Sequence, residues 1–279
     1  MSQLPTPRVS FVVPAFNEPA DVLQASLDSV AAQTLTDFEC IVVDESTQPE
    51  AADACRALCG RDTRFCYIHP EQRIGLAASL NLGISMARAP LIARFDSDDI
   101  CMPDRILRQV SYMDAHPEVG VVGGGLEIMG EDGVTLAFRG YPTDHAVIER
   151  KLQTTTPIAH PTVMLRKALI EQHGGYDPDF RFAEDLDLWL RLANRGVRFA
   201  NLSEVLVRYR QQQTNRNPRH WEFNLRARKR NFATRQLARR LLGICVMSVW
   251  GRLPVSLQRK VFQSLLLRRR KPSSGSRQA

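Results

Sequence analysis

The residues that invite a chemical reading are three aspartates crowded at the end of an apolar run. Leu91 to Phe95 leads directly into Asp96, Asp98 and Asp99 in the stretch "LIARFDSDDICMPDR". Like charges this close repel one another, so the pattern calls for something positive. Asp96 and Asp98 are two positions apart and share a face in extended backbone, while Asp99 turns away. Mg²⁺ or Mn²⁺ suits such a pair, because these ions take oxygen ligands and fill the rest of their shell with phosphate oxygens and water. The competing reading is a strand-end turn in which Asp99 or Asp104 caps the helix that opens near Pro103. Capping needs one acid, not three. A second acidic focus, Glu184 and Asp185 in "RFAEDLDLWLRLANRG", stands at the start of a helical pattern that Gly196 stops. Acids there complement the helix dipole, or one of them serves as a general base toward a hydroxyl.

These groups need elements to position them. Residues 9–13, 38–46, 65–69 and 91–95 read as buried strands, and 21–33, 51–58 and 76–89 as helices between them. Strand and helix alternate four times, which predicts an α/β fold with a mostly parallel sheet and right-handed crossovers. Ligands of such sheets sit beyond the carboxyl ends of the strands, and three of those ends carry "PAFNE", "DES" and "DSDD". Neither a dinucleotide fingerprint nor a P-loop is present, so a bound diphosphate has to be gripped without a glycine cradle. "GVVGGG" (120–125) reads as a further strand ending in a tight turn or close backbone approach.

The chain has 279 residues and a net charge of +7, unevenly spread. From Arg208 to Ala279 there are 19 Lys and Arg against one acid, Glu222, which leaves 18 basic and 29 acidic residues in the body. "RHWEFNLRARKRNFATRQLARRLLGICVMSVWGRLP" and "PVSLQRKVFQSLLLRRRK" read as basic amphipathic helices suited to an anionic membrane surface, with packing on the body as the alternative. A nucleic acid is a poor partner, because the acidic body opposes a phosphate backbone. The final "KPSSGSRQA" reads as disordered. No run reaches about 18 consecutive apolar residues, and the N-terminus lacks the charged and apolar regions of a secretory signal. The scattered cysteines predict a reducing, cytoplasmic setting. Cys55, Cys59, Cys66 and His69 lack the paired spacing of a zinc site.

Taken in order, "VSFVVPAFNE", "QTLTDFECIVVDES", "IARFDSDDICMPDRI", "HPTVMLRKALIEQHGGYD", "AEDLDLWLRL" and "EVLVRYR" resemble bacterial family 2 glycosyltransferases over roughly residues 8–210. The resemblance implies a GT-A (Rossmann-like) domain over 1–210, its nucleotide-binding half about 8–115 and its acceptor half about 116–210, followed by the basic extension 211–279. It implies an inverting, metal-dependent transfer of a sugar from a nucleotide-diphosphate donor, a UDP-hexose, to a hydroxyl of a glycan or lipid-linked acceptor at the inner face of the membrane. By position, Pro14, Ala15, Phe16 and Glu18 line the nucleotide pocket, Asp44 and Glu45 read base and ribose, and Arg73 of "EQRIGL" reaches a phosphate. Asp96 and Asp98 match the metal-binding pair, with Asp98 the direct ligand of Mn²⁺ or Mg²⁺. Asp185 matches the catalytic base, with Glu184 beside it. The chain departs from the family pattern in three places. Glu45 replaces the second aspartate of the usual "DDGS", "EQRIGL" lacks the Asn that usually precedes Gly, and Gln211, Gln212 and Gln213 stand where relatives carry a histidine. His160 is the other polar candidate near the donor, or else a structural histidine. A sugar nucleotidyltransferase and a catalytically silent nucleotide-sugar-binding partner are the alternative functions.

Overall fold

The computed structural model describes residues 6–211, 219–253 and 257. Its N-terminal half alternates β1 (Val9–Ala15), α1 (Ala20–Ala31), β2 (Phe38–Asp44), α2 (Pro49–Cys59), β3 (Phe65–Ile68), α3 (Leu76–Met86) and β4 (Leu91–Arg94). All four strands are parallel in the order β3-β2-β1-β4, with Val9 of β1 opposite both Phe38 and Leu91. Helices cover both faces, so β1 is buried on each side. Phe11 and Val13 face the layer holding Leu23, Leu27 and Val30 of α1, whereas Val12 faces Leu80 and Ile84 of α3. Gly83 lets α3 approach this closely, since a Cβ there would stand 2.5 Å from the Val12 side chain.

The second half adds β5 (Ile100–Cys101), α4 (Arg105–Ala115), β6 (Val119–Met129), β7 (Thr135–Arg139), α5 (His145–Leu152), β8 (Met164–Arg166), α6 (Lys167–His173), α7 (Glu184–Asn194) and β9 (Arg198–Arg210). Here the sheet becomes mixed. β8 runs antiparallel to β4 and to β6, β6 and β9 pair in parallel, and β5 closes the edge against β9. Direction reverses at β4, so the carboxyl end of that strand opens beside the second half of the sheet. Asp96 to Asp99 lie at this switch point.

Two helices follow, α8 (Arg219–Arg230) and α9 (Leu237–Trp250). α8 buries Asn224, Ala227 and Arg228, and it ends where Asn231 donates to Asp187 Oδ1 of α7 at 2.8 Å. Arg228 donates to the carbonyls of Leu152 and Gln153, which ties α8 to the end of α5. The segment "PVSLQRKVFQSLLLRRRK" (apart from Leu257), the terminal "KPSSGSRQA", and Gln212 and Gln213 lie outside the described residues. Cys55 and Cys59 face the core from α2, while Cys66 is exposed.

The capping expectation is corrected. Asp104 occupies the cap position of α4 but makes no side-chain cap bond. Asp99 is buried and accepts instead from the backbone N–H of Arg210 at 2.8 Å. Its Oδ2 has no hydrogen-bond partner.

Candidate active site

A cleft of about 180 Å³ opens beyond the carboxyl ends of β1, β2 and β4. Pro14, Ala15, Phe16, Glu18, Glu45, Arg73, Asp96 and Asp98 line it, joined by Leu76, Ser79 and Ser97. Nearly every residue that the sequence nominated for the donor therefore meets in one place. Asn17 shapes the loop after β1. Its backbone is left-handed, with φ 56°, and its side-chain oxygen accepts from the N–H groups of Thr47 and Gln48 at 2.9 and 3.1 Å. These bonds stitch the ends of β1 and β2 together.

Phe16 is exposed, and the Arg73 guanidinium lies 3.9 Å from its ring centroid. That pair is a flat cation–π surface on which a base could stack. Glu45 accepts from the Ser79 hydroxyl and from Ile74 N–H at 3.3 Å, with Arg73 Nε 3.6 Å away. It thus orders the loop carrying Arg73 as well as lining the cleft. Asp44 is placed differently. It is fully buried and does not line the cleft. Its oxygens accept from Ser46 N–H at 2.9 Å and from the Tyr67 hydroxyl at 3.0 Å.

The acids at the end of β4 divide their tasks. Asp96 Oδ2 accepts from Arg94 Nη1 at 2.5 Å. Burial, with Asp96 and Glu18 nearby, pushes Asp98 up to about 6. Burial also raises Glu18, although Ser97 Oγ donates to it at 2.8 Å and works the other way. Asp99 is pushed well above the usual range by burial and by Asp96 and Asp98. Carboxylates that hold protons this strongly are short of positive charge, which fits an oxygen-seeking divalent cation. Among the described residues no three His, Cys, Asp or Glu side chains are grouped to hold an ion alone. Such an ion needs phosphate or water oxygens to complete its shell. Arg210 clamps the same loop, its Nε donating to Asp98 O at 3.0 Å.

A larger cavity, about 520 Å³, adjoins on the side of the second half. Arg94, Asp96, His160, Asp185 and Gln211 line it, with Thr154 to Thr156, Tyr141 and Tyr209, and with His220, Trp221 and Met247 from the last two helices. Asp96 lines both spaces. α7 presents Asp185 to the larger one, where its Oδ1 accepts from Leu186 N–H at 2.7 Å. The turn into α7 is tight, since Ala183 adopts φ 57° without being glycine.

Glu184 lies behind Asp185, buried, and burial together with Asp185 pushes it up to about 7. Trp189 packs its ring against His160 and Phe199. The strong burial falls on Glu184. His160 Nδ1 is 3.8 Å from Glu184, and its Nε2 meets the Tyr176 hydroxyl at 2.8 Å. Burial, with Arg94 nearby, pushes His160 well below its ordinary value, so the ring is neutral. Of the acids in the first turn of α7, Asp187 is structural, since Arg191 Nε donates to it at 2.9 Å.

Sequence reasoning missed Arg94, Ser79, Ser97 and Tyr176. An arginine inside the apolar run "LIARF" was the available signal, because a strand buries a cation only beside a partner.

The structure thus joins a cleft at the strand ends, an acidic switch point and a neighbouring acid at a helix start, the layout of an α/β fold that takes its ligand at a topological switch point. The family model for "Glycosyl transferase family 2" matches residues 10–174. The amylovoran biosynthesis glycosyltransferase AmsE of Erwinia amylovora is 31% identical over 202 residues, covering 72% of this chain and 75% of AmsE. In structure, TarS of S. aureus in complex with UDP-GlcNAc superposes with a TM-score of 0.66 at 19% identity, covering 92% of this chain and 75% of that one. The mannosyltransferase PcManGT from Pyrobaculum calidifontis, in complex with GDP-Man and Mn²⁺, gives 0.63 at 18% identity, covering 94% and 81%. The chain belongs to glycosyl transferase family 2, and its fold is GT-A.

Proposed function

We propose that this glycosyltransferase moves a hexose, with inversion, from a UDP-sugar to a hydroxyl of a glycan or lipid-linked acceptor in surface polysaccharide synthesis. The carrying observation is that Asp96 forms a shared wall between the smaller cleft, with Asp98 and Glu18, and the larger cavity, with Asp185. Donor and acceptor would meet across that wall. The smaller cleft is built wholly from residues 14–98, which supports a nucleotide-binding half over about 8–115.

In this reading Phe16 and Arg73 hold the base, and Glu45 keeps Arg73 in place. Asp98 and Asp96 would hold Mg²⁺ or Mn²⁺, whose positive charge offsets the negative charge that builds on the departing diphosphate. Asp185 accepts the proton of the acceptor hydroxyl as its oxygen bonds to the anomeric carbon. The bond from that carbon to the diphosphate oxygen breaks on the opposite face, which inverts the centre. Glu184, buried behind Asp185 and outside the lining of the larger cavity, leaves the base role to its neighbour. The Mn²⁺ and GDP-Man of PcManGT and the UDP-GlcNAc of TarS support the class of donor. The part of AmsE in amylovoran biosynthesis supports a glycan product.

No helix of the described residues is long and apolar enough to cross a membrane; the membrane role in this reading is peripheral, at the inner face. The test is a thermal-shift panel of UDP- and GDP-sugars with and without Mn²⁺, followed by product analysis. A Mn²⁺-dependent shift with one UDP-sugar supports the reading. Indifference to every nucleotide sugar overturns it. Metal-dependent hydrolysis of the preferred UDP-sugar excludes a silent binding partner, and release of pyrophosphate from UTP and a sugar phosphate would instead favour a nucleotidyltransferase.

A further inference from the structure

α9 packs inside out for a helix of a water-soluble body. Its inner face is polar or small. Arg240 is buried and donates to the carbonyls of Asn231 and Arg235 and to Asn194 Oδ1, at 2.6, 2.9 and 2.6 Å. Gly243 lies against Gln153, where a Cβ would stand 2.0 Å from the carbonyl oxygen, and Met247 lines the larger cavity. These contacts fix the rotation of the helix. They leave Leu237, Leu241, Leu242, Val246 and Val249 outside, each 43–60% exposed, with the exposed Cys245 among them. At 100° per residue these six positions cover one continuous half of the helix, and no charge interrupts it. Burying an arginine and exposing five aliphatic side chains is the reverse of what water favours.

We infer that the outer face of α9 inserts into the headgroup–acyl boundary of an anionic bilayer, while its inner face walls the cavity that holds Asp185. The charge pattern selects this occupant over a second copy of the chain. Arg239 and Arg252 are exposed at the edge and end of the face, and no Asp or Glu occurs from Phe223 to Ala279. Aliphatic side chains ringed by cations match lipid tails beneath anionic headgroups, whereas a second copy would bring the same positive charge. The inference deepens the peripheral-membrane part of the proposed function. It places the acceptor cavity directly against the lipid surface, where a lipid-linked acceptor would arrive.

The experiment uses the full chain and phosphatidylcholine vesicles with and without phosphatidylglycerol. Co-sedimentation is expected with the anionic vesicles, and Leu242→Glu/Val246→Glu should weaken it at least about tenfold. The matched change Val134→Glu/Leu136→Glu, at exposed aliphatics near β7, should leave it unchanged. Independently, an environment-sensitive fluorophore on Cys245 in a Cys66→Ser background should shift to the blue on those vesicles. The inference is overturned if the α9 variant binds like wild type, since the tail charges then act alone. It is also overturned if both double variants lose binding equally, or if the fluorophore stays in water. A concentration-dependent dimer abolished by the α9 change would assign the face to a second copy and overturn it as well. Donor thermal shifts run in parallel keep the two readings apart. Their absence in wild type counts against the transferase chemistry, and vesicle binding alone decides the role of α9.

Discussion

Arg94 Nη1 donates to Asp96 Oδ2 at 2.5 Å from a side chain only 5% exposed, inside the strand that carries the acidic loop. This pairing explains how three aspartates are tolerated at one strand end. The buried guanidinium neutralises the first of them, and its field extends to Asp98, Asp99 and Glu184. Arg94→Met keeps the volume and removes the charge. It should lower stability by about 3 kcal/mol, the usual cost of breaking a buried pair, and weaken nucleotide-sugar binding at the same time. Chemical denaturation and a donor titration on the same preparation check both effects.

Glu184 should give an inverted pH signature. A carboxyl that binds protons more tightly folded than unfolded loses stability as pH rises, here from about 4.5 toward about 7. Glu184→Gln removes that loss, so its melting temperature should gain on wild type between about pH 5 and about pH 7 and level off above that. A difference that is constant with pH would show that Glu184 does not titrate in this window.

Asp185→Asn should reduce transfer by a factor of about 10² to 10⁴, the usual contribution of a general base. The donor-induced thermal shift should be retained, because Asp185 lies in the larger cavity and not in the smaller cleft proposed for the donor. Single-turnover kinetics with saturating donor separate the two. Loss of donor binding in step with activity would remove Asp185 from the base role.

Metal removal should act on the donor side alone. After chelation, and equally in Asp98→Asn, the Mn²⁺-dependent part of the donor thermal shift should vanish. Mn²⁺ binding followed by its paramagnetic resonance signal reports this without turnover. A full Mn²⁺ complement in Asp98→Asn would move the ion elsewhere.

Gly243→Ala drives a methyl group into the Gln153 carbonyl, which only a shift of α9 relieves. The expected destabilisation is about 1–3 kcal/mol. Urea melts read it directly. A neutral effect would mean that α9 is held less tightly than its contacts with Asn231, Arg235 and Asn194 indicate.

The parallel half of the fold was legible in the sequence because burial on both faces writes each strand as an unbroken apolar run, as in "VSFVV" and "CIVV". The acids at strand ends were legible for a related reason, since charge directly after such a run marks the rim of the sheet. Asp44 shows the limit. Its position is a rim position, yet Tyr67 on the neighbouring strand turns it inward, and cross-strand partners are invisible to spacing. Asp99 shows the same limit at longer range, with its partner Arg210 more than a hundred residues away. The rotation of α9 was illegible too, because periodicity shows that a helix has two faces without showing which one meets the protein.

Arg210 ends β9, donates from its backbone to Asp99 and from its side chain to Asp98 O and Glu131 O, and stands directly before the stretch leading to the last two helices. This sets a rule for chimeras. Relatives with different C-terminal helices can be exchanged onto this body only by a splice placed after residue 210. A cut even one residue earlier would import a foreign anchor for the acidic loop, so under the proposed function acceptor handling and leaving-group handling would change together.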